Sequence, residues 1–221
     1  MTLSKKTYKW FYDNVQSRYY NLLMKYCFMP FGGEVKCRSE LIESVDLSEN
    51  ERILDMCCGT GGATHAIARK AAPSCRITGM DLSSGQIRIA RRSSDLNNVE
   101  FVEGDVSATG FEDGRFDKVF ITHALHEMWR VDRMKVLREA RRILRADGEV
   151  IILELDDPES FLVRFFVGLW FFYWLPFNFE TPTRRDMLKH GLANEVIEEG
   201  FRNVRKISKH RGVFQIVVGE K

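Results

Sequence analysis

Three aspartates and two histidines are the residues that type and spacing best equip for chemistry. The run Ile53-Leu54-Asp55-Met56-Cys57-Cys58-Gly59-Thr60-Gly61-Gly62 carries an apolar strand into a glycine-rich turn that opens a helix. Glycines let a backbone pass close to a ligand, and a helix N-terminus offers unsatisfied N–H donors and a positive dipole end. Asp81 closes the next apolar run, Ile77-Thr78-Gly79-Met80. An acid about twenty residues beyond such a turn suits the two hydroxyls of a ribose. Asp105 follows Gly104 after a third run. The ligand this pattern predicts is a nucleoside-containing cofactor. After a fourth run comes His123-Ala124-Leu125-His126-Glu127. Histidine accepts a proton near neutral pH, so His126 is the first candidate base and His123 the second, with Glu127 at hand to orient a ring. The competing use of all these residues is to cap turns, as Asp often does.

The elements that must hold them are legible as short apolar runs at 52–57, 76–80, 99–103, 116–122 and 148–155, separated by helical patterns at 62–72, 84–95 and 132–146. The last of these helices is expected to end on a glycine cap at Asp147-Gly148. Strand–helix alternation predicts an α/β fold, a mainly parallel sheet with helices on both faces. A helix over 184–199 precedes two strand-like runs, 201–208 and 212–219. So short a link between them predicts an antiparallel hairpin at one sheet edge. Residues 1–46 read as an amphipathic helical segment interrupted at Pro30 and Gly32-Gly33, and 47–221 as the cofactor-binding domain.

With 221 residues, 44% hydrophobic and 29% charged, the chain can bury a substantial core, and a net charge of +2 argues against a general nucleic-acid binder. Residues 1–40 are more basic, with seven cationic side chains against three acids. The five cysteines, Cys27, Cys37, Cys57, Cys58 and Cys75, are odd in number and follow no zinc spacing, and HALHE is not the zinc motif H-E-x-x-H. No metal is expected, and the thiols are read as reduced and structural in a cytoplasmic protein. The N-terminus lacks the uninterrupted apolar core of a signal peptide.

One segment breaks the alternation. Ten of the twenty-six aromatics fall within 161–179, inside an insertion at about 158–183. Its uninterrupted apolar part, 165–175, is bracketed by Arg164 and Pro176 and is too short to span a bilayer, which takes about twenty residues. Four uses are open to it: lining a pocket for a greasy substrate, lying peripherally in a membrane interface, forming a homodimer contact, or packing into the core as a lid.

A nicotinamide or flavin reading requires G-x-G-x-x-G, and Thr64 stands where the third glycine would be. The series D-x-x-C-G-T-G, G-M-D-L-S, G-D-V and F-D-K-V-F, spread over about 50–155, resembles the class I S-adenosylmethionine (SAM) methyltransferases. That resemblance implies a Rossmann-like sheet of seven strands with SAM as cofactor. It implies that Asp55 orients the methionine amino group and that Gly59, Thr60 and Gly61 pass against the methionine part. Asp81 would bond both ribose hydroxyls with Leu82 flanking the adenine, and Asp105 would take the adenine amino group beside Val106. Thr122 and His123 would lie near the sulfonium. A nucleic-acid methyltransferase would show a D-P-P-Y-like or Pro-Cys motif where this chain reads Thr122-His-Ala-Leu-His-Glu127. Within the superfamily, Tyr12-Asp13, Arg18-Tyr19-Tyr20-Asn21-Leu22-Leu23 and Val150-Ile151-Ile152-Leu153-Glu154 with Pro158 resemble the ubiquinone/menaquinone biosynthesis C-methyltransferase (UbiE-type) group. This likeness implies a polyprenylated hydroquinone or other lipid-like acceptor, and makes Tyr19 and Tyr20 lid residues over SAM. Where that group has an Arg-Asn pair, the chain has His126-Glu127. Other small acceptors (an amine, a thiol, a metalloid) and a non-catalytic SAM-fold protein at the membrane are the alternatives.

Overall fold

The protein is described here from a computed structural model, which covers residues 13, 25, 28–43, 45–174 and 181–221. Among these residues the sheet has seven strands. The chain divides into two compact units, 1–109 and 110–221.

In the first unit, α1 (Glu34–Glu43) precedes β1 (Arg52–Met56), α2 (Gly62–Lys70), β2 (Arg76–Asp81), α3 (Ser84–Ser93) and β3 (Val99–Glu103). The three strands are parallel, with Met56 opposite Met80 and Asp81 opposite Glu103, so their C-terminal ends lie at one edge. β1 and β2 are buried along most of their length, as near-continuous apolar runs in a parallel sheet require. Phe101, Ile87, Ala90 and Cys58 form a core cluster beneath the turn after β1. α1 is held by Lys70, whose ammonium donates to the carbonyls of Ile42, Glu43 and Val45. Ile42 and Glu43 belong to the last turn of α1 and Val45 lies just beyond it, and a cation is favoured at that dipole end. Asp13 reaches the start of α3, accepting from Ser83 Oγ at 2.6 Å and from the Gly85 N–H at 3.0 Å.

In the second unit, β4 (Phe116–Thr122) leads through a short 3₁₀ turn, Leu125–Glu127, to α4 (Arg130–Ile143) and β5 (Leu144–Leu155). α5 (Phe161–Trp174), α6 (Thr181–His190) and α7 (Leu192–Glu198) follow, then β6 (Arg202–Lys209) and β7 (Phe214–Glu220). β4 and β5 are parallel, β5 and β7 antiparallel, and β6 and β7 antiparallel, so the expected C-terminal hairpin forms the edge. Arg202, Arg205, Lys206 and Lys209 on β6 guard that edge against pairing with another strand.

Two expected boundaries are corrected. The helix read as 132–146 ends at Ile143 with Leu144 already extended, so Asp147-Gly148 is not its cap. Instead the register jumps from Phe116–Leu144 to Lys118–Glu149, and residues 145–148 bulge from β5. Asp147 adopts φ 60°, and a Cβ on Gly148 would come within 2.9 Å of the Asp117 carbonyl, so a turn and a close approach explain this pair. The helix read as 184–199 is two helices, broken at Gly191 with φ 78° and ψ 114°. The break lets Arg133, fully buried on α4, meet both pieces. Its guanidinium donates to Glu195 at 2.8 and 2.6 Å and to Asp186 at 3.0 Å.

The aromatic segment is helical from Phe161 to Trp174. Phe161, Leu162, Phe165, Phe166 and Leu169 are all exposed, and their spacing puts them on one face. Among the described residues no helix is long and apolar enough to cross a membrane.

Candidate active site

The first unit gathers the glycine turn and three acids at the C-terminal ends of β1, β2 and β3. After β1 the chain turns through Cys57 (φ 61°), Gly59 (φ 56°) and Gly61 (φ 84°) into α2. Gly61 also faces Phe101, whose ring would lie 2.9 Å from an added Cβ, so left-handed backbone and close packing both demand glycine there. The turn is tied to β2 by the Cys58 N–H donating to the Met80 carbonyl at 3.0 Å, and by the Gly59 N–H donating to Asp81 Oδ2 at 2.9 Å. Asp81 Oδ1 accepts from the Ser83 N–H at 2.9 Å. Backbone N–H groups of Gly59, Ser83 and Leu82 thus converge on this carboxylate and fix both oxygens, and a carboxylate is an acceptor of the kind a ribose hydroxyl needs. Burial holds the Asp81 carboxyl above its ordinary range, opposed by the Ser83 and Gly59 N–H groups and reinforced by the charge of Asp13.

Asp55 is fully buried. Its Oδ2 accepts from Thr64 Oγ1 at 2.6 Å, while Oδ1 has no hydrogen-bond partner among the described residues. Burial pushes its pKa to about 7, against the lowering effects of the Thr64 bond and the Arg38 charge. An orphaned buried acceptor is costly unless a ligand satisfies it, and a cationic amino group would do so while drawing the carboxyl to its charged form. Thr64, the residue standing where a dinucleotide turn has its third glycine, is therefore the side chain that orients Asp55. Asp105 Oδ1 accepts from the Ser107 N–H at 2.9 Å and Ser107 Oγ at 2.7 Å, a turn-capping geometry. Val106 is buried beside it, and Thr60 and Leu82 are half-buried at the same strand ends. Tyr19 lies outside the described residues.

The second unit brings together Thr122, His123, His126 and a residue singled out only for its place in a motif, Glu154. Thr122 ends β4, buried opposite Leu153. His123 adopts φ 50°, donates its N–H to the Leu153 carbonyl at 2.8 Å, and packs edge-on to Phe214 at 5.3 Å. The His126 ring is met by Glu154 of β5: Nδ1 lies 2.7 Å from Glu154 Oε1. Glu154 is fully buried and also accepts from the N–H groups of Leu125, His126 and Leu155 at 2.9, 3.3 and 2.7 Å. Burial alone would raise its pKa. The His126 charge and hydrogen bond outweigh it, with smaller help from the His123 charge and the Leu155 N–H, and hold the carboxyl at about 2. The signal in the sequence was a lone acid inside the apolar run Val150–Leu155, a position where burial demands a partner. Among the described residues no cluster of His, Cys, Asp and Glu is arranged to hold a metal ion.

Relatives identify the family. The family profile described as a methyltransferase domain matches residues 53–148. A demethylmenaquinone methyltransferase of Thermotoga maritima is 34% identical over 169 residues, covering 75% of this chain and 69% of that one. The chain belongs to the class I SAM-dependent methyltransferases. Its fold matches a putative SAM-dependent methyltransferase of Methanococcus maripaludis with a TM-score of 0.69 and 19% identity, covering 98% and 96% of the two chains. It also matches phosphoethanolamine N-methyltransferase 2 of Haemonchus contortus in complex with SAM, with a TM-score of 0.69, 15% identity and coverage of 100% and 60%. At such identities the structural likeness speaks to the fold, while the sequence relative relates this methyltransferase to the UbiE-type group. SAM is its cofactor, and the orphaned Asp55 oxygen, the backbone-fixed Asp81 carboxylate and the glycine turn suit that molecule.

Proposed function

We propose that this methyltransferase acts on a hydrophobic acceptor carrying a hydroxyl group, of the hydroquinone or lipid-phenol class. Bound SAM supplies an electrophilic methyl group on a sulfonium. The chain's own residues supply the rest. Asp55, Asp81 and Asp105, with the backbone of Gly59–Gly61, hold the cofactor, so that alignment rather than covalent help lowers the barrier. His126, with His123 beside the end of β4, serves the acceptor, whose hydroxyl must lose its proton before oxygen or ring carbon becomes nucleophilic. Residues 1–46, Tyr19 included, act as a lid over this chemistry.

The observation that carries the acceptor class is the apolar face of α5, where Phe161, Leu162, Phe165, Phe166 and Leu169 are exposed together. A face of this kind lies in a membrane interface or guides a greasy substrate, and the basic N-terminal segment adds attraction to anionic lipid. The relationship to a chain named demethylmenaquinone methyltransferase supports the same class. The test is mass spectrometry of quinone and lipid fractions incubated with the protein and methyl-labelled SAM. Label is expected in a prenylated hydroquinone or phenolic lipid. Label confined to phospholipid amines, thiols or metalloids, or no label at all, would overturn the proposal.

A further inference from the structure

The contact between Glu154 and His126 carries a role for a residue that the family motifs leave unassigned. All four acceptor sites of the Glu154 carboxylate are taken: three by backbone N–H groups and one by His126 Nδ1 at 2.7 Å. Two of those backbone groups belong to Leu125 and His126 themselves, so the buried carboxylate fixes both the loop and the ring it carries. An ionised carboxylate only accepts. The nitrogen facing it must therefore bear a proton, which in the neutral ring places the lone pair on Nε2. A hydrogen-bonded acid behind a histidine holds its tautomer and stabilises the imidazolium once a proton arrives.

We propose that Glu154 is a positioning residue for methyl transfer, fixing His126 as the Nδ1–H tautomer so that Nε2 receives the proton of a hydroxyl-bearing acceptor. This inference rests on the reading of His126 as the base. The balance is as follows. The acceptor hydroxyl gives its proton to Nε2, and the acceptor oxygen, or a ring carbon conjugated with it, forms the bond to the methyl carbon. The methyl–sulfur bond breaks, its electron pair stays on sulfur, and a neutral thioether leaves. For a carbon acceptor, the ring proton at the new bond then moves to water and the oxygen is reprotonated, restoring the phenol. In either case one proton stays on the His126–Glu154 pair until solvent removes it. A strongly held carboxylate, at about 2, keeps this pair ready to accept near neutral pH.

The test uses the full chain labelled with ¹⁵N, with His126→Asn identifying the His126 signals. The wild type is expected to show a protonated Nδ1 and an unprotonated Nε2. Glu154→Gln should shift the tautomer toward Nε2–H and lower the His126 titration midpoint by at least one pH unit. Glu154→Asp, which keeps the charge, should recover part of that shift. With a short-chain prenyl naphthohydroquinone as acceptor, Glu154→Gln should reduce kcat at least tenfold while KM for SAM changes less than twofold. A wild-type Nε2–H tautomer, or an unmoved midpoint in folded Glu154→Gln, would overturn the assignment. If that variant does not fold, the wild-type tautomer and the Glu154→Asp midpoint decide by the same criteria. Full turnover by His126→Asn with the wild-type tautomer as expected would instead sink the base reading, and with it the catalytic use of Glu154.

Discussion

Asp55 offers a quantitative check on how the cofactor is held. In the folded chain its pKa stands at about 7, against 3.8 for the ordinary side chain. The folded protein therefore binds this proton more tightly than the unfolded chain. Between about pH 4 and pH 7 the folded state carries more protons, so the contribution of Asp55 to stability falls as pH rises through that window, by about 4 kcal/mol in total. SAM binding should reverse the sign. An ammonium beside the orphaned Oδ1 favours the carboxylate, so binding below pH 7 must expel a proton. With a midpoint of about 7, the charged fraction rises about twenty-five-fold from pH 5.5 to 7.5, and SAM affinity should rise with it. Calorimetry in two buffers of different ionisation heat counts the released protons: nearly one at pH 6 and nearly none above pH 8. Asp55→Asn should abolish both the proton release and the fall in ligand-free stability. Should the wild type bind SAM with no proton exchange across this range, or Asp55→Asn keep the same pH dependence, Asp55 does not face the amino group.

Asp81→Ala removes the acceptor sites expected to take both ribose hydroxyls. At about 1.5 kcal/mol for each charge-assisted bond, SAM affinity should drop about a hundredfold by calorimetry, and unchanged affinity in a folded variant would contradict its role. Arg133→Ala strands the buried Glu195 carboxylate and should lower stability by about 3 to 5 kcal/mol in urea unfolding, whereas a loss under 1 kcal/mol would mean the network is not buried in solution. Phe165→Ser combined with Phe166→Ser should reduce sedimentation with anionic, quinone-containing vesicles several-fold without lowering the melting temperature. If vesicle binding is unchanged while a wild-type dimer falls apart, the α5 face is a subunit contact.

Much of the first unit was legible because parallel strands buried on both sides write continuous apolar runs, and the turns between them require glycine or acids. The limits of β3 and β4 come out as expected, and Asp55, Asp81 and Asp105 fall at one edge because the strands are parallel and in register. The errors arose where pattern and geometry part. Asp147-Gly148 has the composition of a helix cap, yet the helix had already ended because Leu144 pairs with Phe116. Gly191, at φ 78° and ψ 114°, splits a continuous helical pattern, and α6 and α7 each bring an acid to Arg133.

Spacing and periodicity in the amino-acid sequence by themselves determined the strands and the acids at their ends, while the resemblance of the motifs to a known family pointed to the family and the cofactor. Only the tertiary structure brought a buried acid of β5 to His126. Glu127 adjoins His126 in the chain, and the structure adds Glu154, twenty-eight residues away, because the parallel pairing of β4 and β5 carries that buried carboxylate to the same turn. Sequence adjacency cannot express such a pairing. A buried charge finds its partner through the sheet, where desolvation makes the nearest donor the one that counts.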